Sequence, residues 1–187
     1  SLSDKQYFTN SLVEIMVSKD AHLEHYRYMS ESPKAFHIGN TQVQLESNAT
    51  FKTTSISKGA NLARNALNVL LNGINSSCSI KGLYLTNNTQ HIDNHINVEH
   101  MVPQCSSYQY FKGVLDDKSK AVFSGRVVVH KDAQKTIAHQ SDKNLILSQG
   151  ARINTKPSLE IFADDVECTH GATAGSVAED ALFYMRS

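Results

Sequence analysis

No stretch of this 187-residue chain stays apolar for more than five residues, the longest being Ala181–Met185. A membrane-crossing helix needs about 18 or more, so none is encoded. A dominant charge sign is missing as well, since 18 Lys and Arg face 18 Asp and Glu. Such balance gives no global pull toward nucleic acid or an acidic membrane surface, and it favours association over mutual repulsion. Prolines number only three, and 40% of residues are hydrophobic, which argues against disorder. Ser1–Lys5 holds no basic segment running into an apolar one, so no secretory signal is expected there. Cysteines are few, odd in number and far apart: Cys78, Cys105 and Cys168. They make no disulfide framework and suit a reducing compartment, with the cytoplasm as the expected location. Cys78 and Cys105 read as small buried residues.

Catalytic signatures are lacking too. There is no Gly-x-Ser-x-Gly, and Gly171-Ala172-Thr173-Ala174-Gly175 has no phosphate-loop lysine. Asp164 and Asp165 are adjacent, so in a strand they face opposite ways and read as a turn rather than a carboxylate pair. Arg126, Lys131 and Arg152 read as scattered, solvated cations. The chain is expected not to be an enzyme.

What is present is a period. Polar turns precede the small residues Ala21, Ala49, Cys78, Cys105 and Ala133, which recur at intervals of 28, 29, 27 and 28. A fixed period of this size marks a repeat architecture. The spacing then shortens to Ala151 and Val166, which suggests tighter or differently indexed last turns. Between the turns lie strand patterns: Val43 and Leu45, then Phe51 and Thr53, alternate with other residues. Leu145 and Leu147 alternate with Asn144 and Ser148, and Val127–Val129 is a short apolar run. In Asn61–Gly73 the apolar residues fit a helix slightly better than a strand, but the repeat register favours strand. The expected fold is all-β, a right-handed parallel β-helix over residues 1–175 that buries one continuous interior. Ser176 and Glu179 form a capping box before an apolar run, so 176–187 reads as the start of a C-terminal helix and the whole as a core cut from a longer chain.

Two constellations could carry chemistry. Cys168 and His170 stand two apart, so in a strand they leave the same face with Cα atoms roughly 6.5–7 Å apart. A thiolate and a neutral imidazole are suitable ligands for iron. The second constellation is HIDNHINVEH, where His91, Asp93, His95 and Glu99 share a strand face and His100 adds a third imidazole. These are metal-capable types, yet the spacing is not that of a helical zinc site and no Cys-x-x-Cys accompanies it. Stacked polar residues account for it equally well.

Several segments together resemble the SufB/SufD family of the Suf iron–sulfur cluster assembly machinery, on its SufD side. They are His22–Tyr26, Lys34–Gly39, Gly82–Leu85, His91–His95, Ala133–Thr136, Lys143–Ser148 and, most specifically, Asn154–Val166 followed by Cys168-Thr169-His170-Gly171-Ala172-Thr173. Gly171 separates the two branches, because the SufB-like motif has a glutamate after that histidine. The resemblance implies a right-handed parallel β-helix that pairs with SufB, in a cytosolic complex with the SufC ATPase. It also implies a transient iron–sulfur cluster at the SufB interface, with His170 and its neighbour Cys168 as cluster ligands on this side. The interface would be formed by the last rungs around Asn154–Thr173. The helical regions flanking the core in the family are missing, so SufC contact should be weak, no cluster is expected on the chain alone, and homodimers could form through the same edge. Two rivals stay open. One is a β-helical carbohydrate-active enzyme, which needs carboxylates converging in an external groove; the other is a metal-dependent jelly-roll enzyme using His91, His95 and His100.

Overall fold

The structure, a computed structural model, describes residues 5–176 and 183–184. Twelve strands follow one another: β1 (Phe8–Val17), β2 (His22–Ser30), β3 (Phe36–Leu45), β4 (Thr50–Lys58), β5 (Leu62–Leu71) and β6 (Ser77–Thr86), then β7 (His91–His100), β8 (Ser106–Leu115), β9 (Lys120–Val129), β10 (Thr136–Ile146), β11 (Arg152–Ile161) and β12 (Val166–Ser176). Odd strands form one six-stranded parallel sheet in the order β1-β3-β5-β7-β9-β11, and even strands form the other in the order β2 to β12. The chain therefore alternates between two facing sheets and completes a turn every two strands, a parallel β-helix of six turns. A right-handed coil is the sense that parallel crossovers overwhelmingly take. Neither a sandwich nor a jelly roll fits this connectivity. The segment with mixed periodicity, Asn61–Gly73, is strand β5, because its register places Ala63, Val69 and Leu71 in the interior and leaves Arg64 outside. Apart from Phe183 and Tyr184, which are helical, the expected C-terminal helix lies outside the described residues; Ser176 closes β12. Among the described residues no helix is long and apolar enough to cross a membrane.

The corners explain the repeat. At one edge Asp20, Asn48, Asn75, Gln104 and Lys135 all take positive φ, between 58° and 63°. Asn and Asp tolerate that left-handed conformation better than most residues. Their side chains also stack into a ladder, Asn75 Nδ2 donating to Asn48 Oδ1 at 2.9 Å and Asn48 Nδ2 to Asp20 Oδ1 at 2.8 Å. Each corner is followed by a small or short residue turned inward. The register Thr50↔Ser77↔Ser106↔Ile137 makes that row Ala21, Ala49, Ser76, Cys105 and Thr136. Cys78 and Ala133 are thus displaced from the expected series: Cys78 pairs with Phe51 inside the strand, and Ala133 lies within the turn before Lys135. Nor do the last turns tighten. Ala151 belongs to the opposite corner, where Arg152 pairs with Lys120, 32 residues earlier.

Inside, rows of side chains repeat along the coil. Val43, Val69, Val98 and Val127 lie one above another, all buried. Each contributes roughly 1.5–3 kcal/mol by burial. Glycines open the rows where a neighbour needs space. A Cβ at Gly82 would lie 2.1 Å from the Phe111 ring, and one at Gly113 would lie 2.3 Å from Tyr84 Cε2 and from Asn144 Oδ1. Tyr84 crosses over Gly113 to donate its hydroxyl to Asn144 Oδ1, with Asp142 Oδ1 3.3 Å away. Gly113→Ala is expected to push that ring aside and cost about 2 kcal/mol through overpacking and a strained polar network, read as a lower urea midpoint at unchanged slope.

Candidate functional site

Strands β11 and β12 end the coil on the same side, and each is paired along one edge only, with β9 and β10 respectively. Their outer edges carry unpaired backbone N–H and C=O groups among the described residues, the usual template for a further strand. In β12 the register sets Cys168 beside Ala138 and His170 beside Gln140. Ala138 and Gln140 are buried interior residues, so Cys168 and His170 share the inward face of the last turn, which no further strand covers among the described residues. Val166 and Cys168 pack against the core, while His170 is exposed. On the outward face His139 Nδ1 and Thr169 Oγ1 are hydrogen-bonded at 2.7 Å, and His139 Nε2 lies 3.6 Å from Glu167 Oε1.

Burial raises the Cys168 thiol above its ordinary pKa; a backbone N–H at Ala138 pulls the other way and Glu167 adds to the rise. The sulfur is therefore protonated at neutral pH and becomes a ligand only as a metal displaces its proton. One sulfur and one imidazole fit iron chemically but cannot complete a tetrahedral set. Among the described residues no three His, Cys, Asp or Glu side chains converge to hold an ion.

The structure does not bring His91, His95 and His100 together. His91 and His95 lie on the outer face of β7, where His95 Nε2 is 2.8 Å from Asp93 Oδ1 and Arg64 Nη1 is 3.3 Å from Asp93 Oδ2. His100 is on the opposite face, fully buried, with Nε2 2.9 Å from Ser107 Oγ. The cluster is a polar ladder plus one core histidine, as strict alternation along β7 requires. Arg126 is likewise not a free cation: its Nε and Nη2 clamp Glu160 at 2.7 Å each, and Nη1 reaches Asn97 Oδ1 at 3.2 Å. Asp165 sits in the turn before β12, its N–H donating to Gln134 Oε1 at 2.9 Å.

An external groove of about 900 Å³ does cross the first sheet, with Glu14 and Glu99 among its lining residues. These two stand on β1 and β7, three strand spacings or roughly 14 Å apart, beyond the separation of a glycosidase pair. The Asn97 amide first, then His130 and Arg126, hold the Glu99 carboxyl below its ordinary range, the wrong direction for a general acid. Glu14 and Glu99 do not form a glycosidase pair.

Sequence reasoning missed a buried polar stack directly beneath the last turn: Tyr84, Gln109, Gln140, Asp142 and Asn144. Its one sequence signal was the run of mid-strand glycines, Gly113 and Gly125, which often mark close approach of another group.

A family model described as the SUF system FeS cluster assembly, SufBD core domain, matches residues 1–187. The iron–sulfur cluster assembly protein SufD of Escherichia coli (strain K12) is 36% identical over 187 residues, covering all of this chain and 44% of that protein. A SufBD family iron–sulfur cluster assembly protein of Synechocystis is 35% identical over 181 residues, 97% of this chain and 40% of its own. The chloroplastic protein ABCI7 of Arabidopsis thaliana is 35% identical over 182 residues, 97% of this chain and 38% of its own. The chain spans less than half the length of these relatives.

Proposed function

The chain belongs to the SufBD core family of iron–sulfur cluster assembly proteins, and from that membership we propose that it is a non-catalytic scaffold subunit whose last turn meets SufB and offers one or two ligands to a nascent cluster. The observation that supports this reading is the place of Cys168 and His170: two apart on the last strand of the coil, whose outer edge is unpaired among the described residues. An incomplete ligand set suits a scaffold, because a cluster held partly by each of two subunits can leave when they shift. The free edge supports strand addition by the partner. In this reading the cluster is cargo, shared with SufB, and SufC is the further partner of the complex. Cytoplasmic location follows as part of the same proposal, since free thiols at such a site need reducing surroundings.

Anaerobic mixing with SufB and SufC tests the reading. The expected outcome is a hetero-oligomer that accumulates the charge-transfer absorption of a cluster, whereas this chain alone accumulates none and, at most, pairs with itself. Cys168→Ser should lower the yield several-fold. A stable cluster on the isolated chain, or failure to associate with SufB, overturns the proposal.

A further inference from the structure

We propose that Gln140 is a positioning residue for His170: its carboxamide oxygen, the top of a buried amide stack, is placed to take the imidazole N–H when the ring turns inward, which leaves the other ring nitrogen free to ligate. This rests on His170 being a ligand, and deepens that reading by naming what orients it.

Four observations carry it. Gln140 and His170 are register partners on adjacent strands and project from the same inward face, about 4.8 Å apart along the stack. Gln140 is 3% exposed, and its Nε2 donates to Gln109 Oε1 at 2.9 Å, one turn back on β8. The two ends of a carboxamide point apart, so with Nε2 committed to β8 the oxygen is the end left for a partner elsewhere, and β12 is the next strand in the stack. That oxygen is buried and has no hydrogen-bond partner among the described residues, and a buried acceptor left unsatisfied keeps its full desolvation penalty.

The amide cannot easily turn away. A Cβ at Gly125 would lie 2.0 Å from Gln140 Nε2 and 2.8 Å from Cδ, so the amide lies flat on the bare backbone of β9 and is held there. Across the interior the partner of Gly125 in the last turn is Pro157, which has no N–H to offer. The other acceptors nearby are taken: Asp142 receives Asn144 Nδ2 at 2.7 Å and the Tyr84 hydroxyl at 3.3 Å. Glu167 and His139 lie on the outward face. The Thr155 hydroxyl on β11, buried and also unpartnered, lies by Asp142, which leaves His170 as the donor stacked directly on the Gln140 amide. Ligating histidines characteristically pass their second N–H to such an acceptor, and removing it lowers metal affinity by roughly 10–100-fold.

The test reads the tautomer directly, from long-range proton–nitrogen spectra of the chain with labelled histidine, at a pH where His170 is neutral. In the unaltered chain His170 should hold one tautomer with its N–H hydrogen-bonded. Gln140→Met, similar in volume but without an acceptor, should return the ring to the tautomer mixture of free histidine, and Gln140→Glu should restore the single form. A free-histidine mixture in the unaltered chain overturns the proposal whether or not the variants fold, as does a ring that accepts rather than donates. The ligand reading fails separately, by undiminished assembly in His170→Ala.

Discussion

His170→Ala should fold as well as the unaltered chain and yet assemble at least 10-fold less cluster with SufB and SufC. The stability half of this expectation follows from position. His170 is exposed on the last strand, and an alanine there leaves room for water to reach the Gln140 amide in place of the ring. Replacing a surface side chain away from caps and cores usually changes stability by no more than about 0.5 kcal/mol. The assembly half follows from the proposed ligand role, because a set shared between two subunits would have no spare donor. Cys168→Ala makes the useful contrast. That sulfur packs against Ala138 and the core margin, so its removal should cost about 1 kcal/mol as well as cluster yield. Parallel urea unfolding and anaerobic reconstitution separate the two effects. Wild-type assembly by His170→Ala removes the ligand assignment.

Acid should destabilise the fold through His100, far from the candidate site. Burial alone lowers this imidazole from 6.5 to about 4. Between those values the unfolded chain binds the proton and the folded chain does not, so stability rises with pH across that window. The full contribution is present above about pH 6.5 and is lost on acidification toward pH 4. A shift of that size corresponds to roughly 3 kcal/mol. His37 is lowered by burial first and by Arg27 second, so it adds in the same direction. Asp142 opposes them: burial raises its carboxyl, so the folded state holds that proton more tightly and loses stability as pH climbs above 3.8. His100 sits in an otherwise apolar row between Leu71 and Val129. His100→Leu should therefore flatten the pH dependence between about 4.5 and 6.5 while keeping neutral-pH stability close to the original. An unchanged slope in urea unfolding across that range would falsify this account.

The coil was legible in the sequence because its corners demand particular residues. Asn48, Asn75 and Asp20 suit a left-handed backbone, and the small residue after each must fit under the next turn. The index slipped at Cys78 and Ala133 because turns differ in length, from 26 residues between Phe36 and Leu62 to 32 between Lys120 and Arg152. Interior polarity was harder to see. In β10 the expected alternation is inverted, with Asp142 and Asn144 buried while Leu145 is 37% exposed. The polar pair is tolerated inside because Tyr84 arrives from β6, 58 and 60 residues away, through the gap at Gly113. No local pattern announces such a partner. Cys168 and His170 were readable from two-residue spacing and family resemblance, whereas Gln140 was invisible because its meaning comes from the strand stacked upon it.

Because each turn of the coil leans only on the turns before and after it, opening begins at the ends, where one supporting neighbour is missing. Among the described residues, the strand bearing Cys168 and His170 is such an end. It is the cheapest part of the interior to peel back, so a subunit that clamps it would control when the thiol and imidazole grip and when they let go.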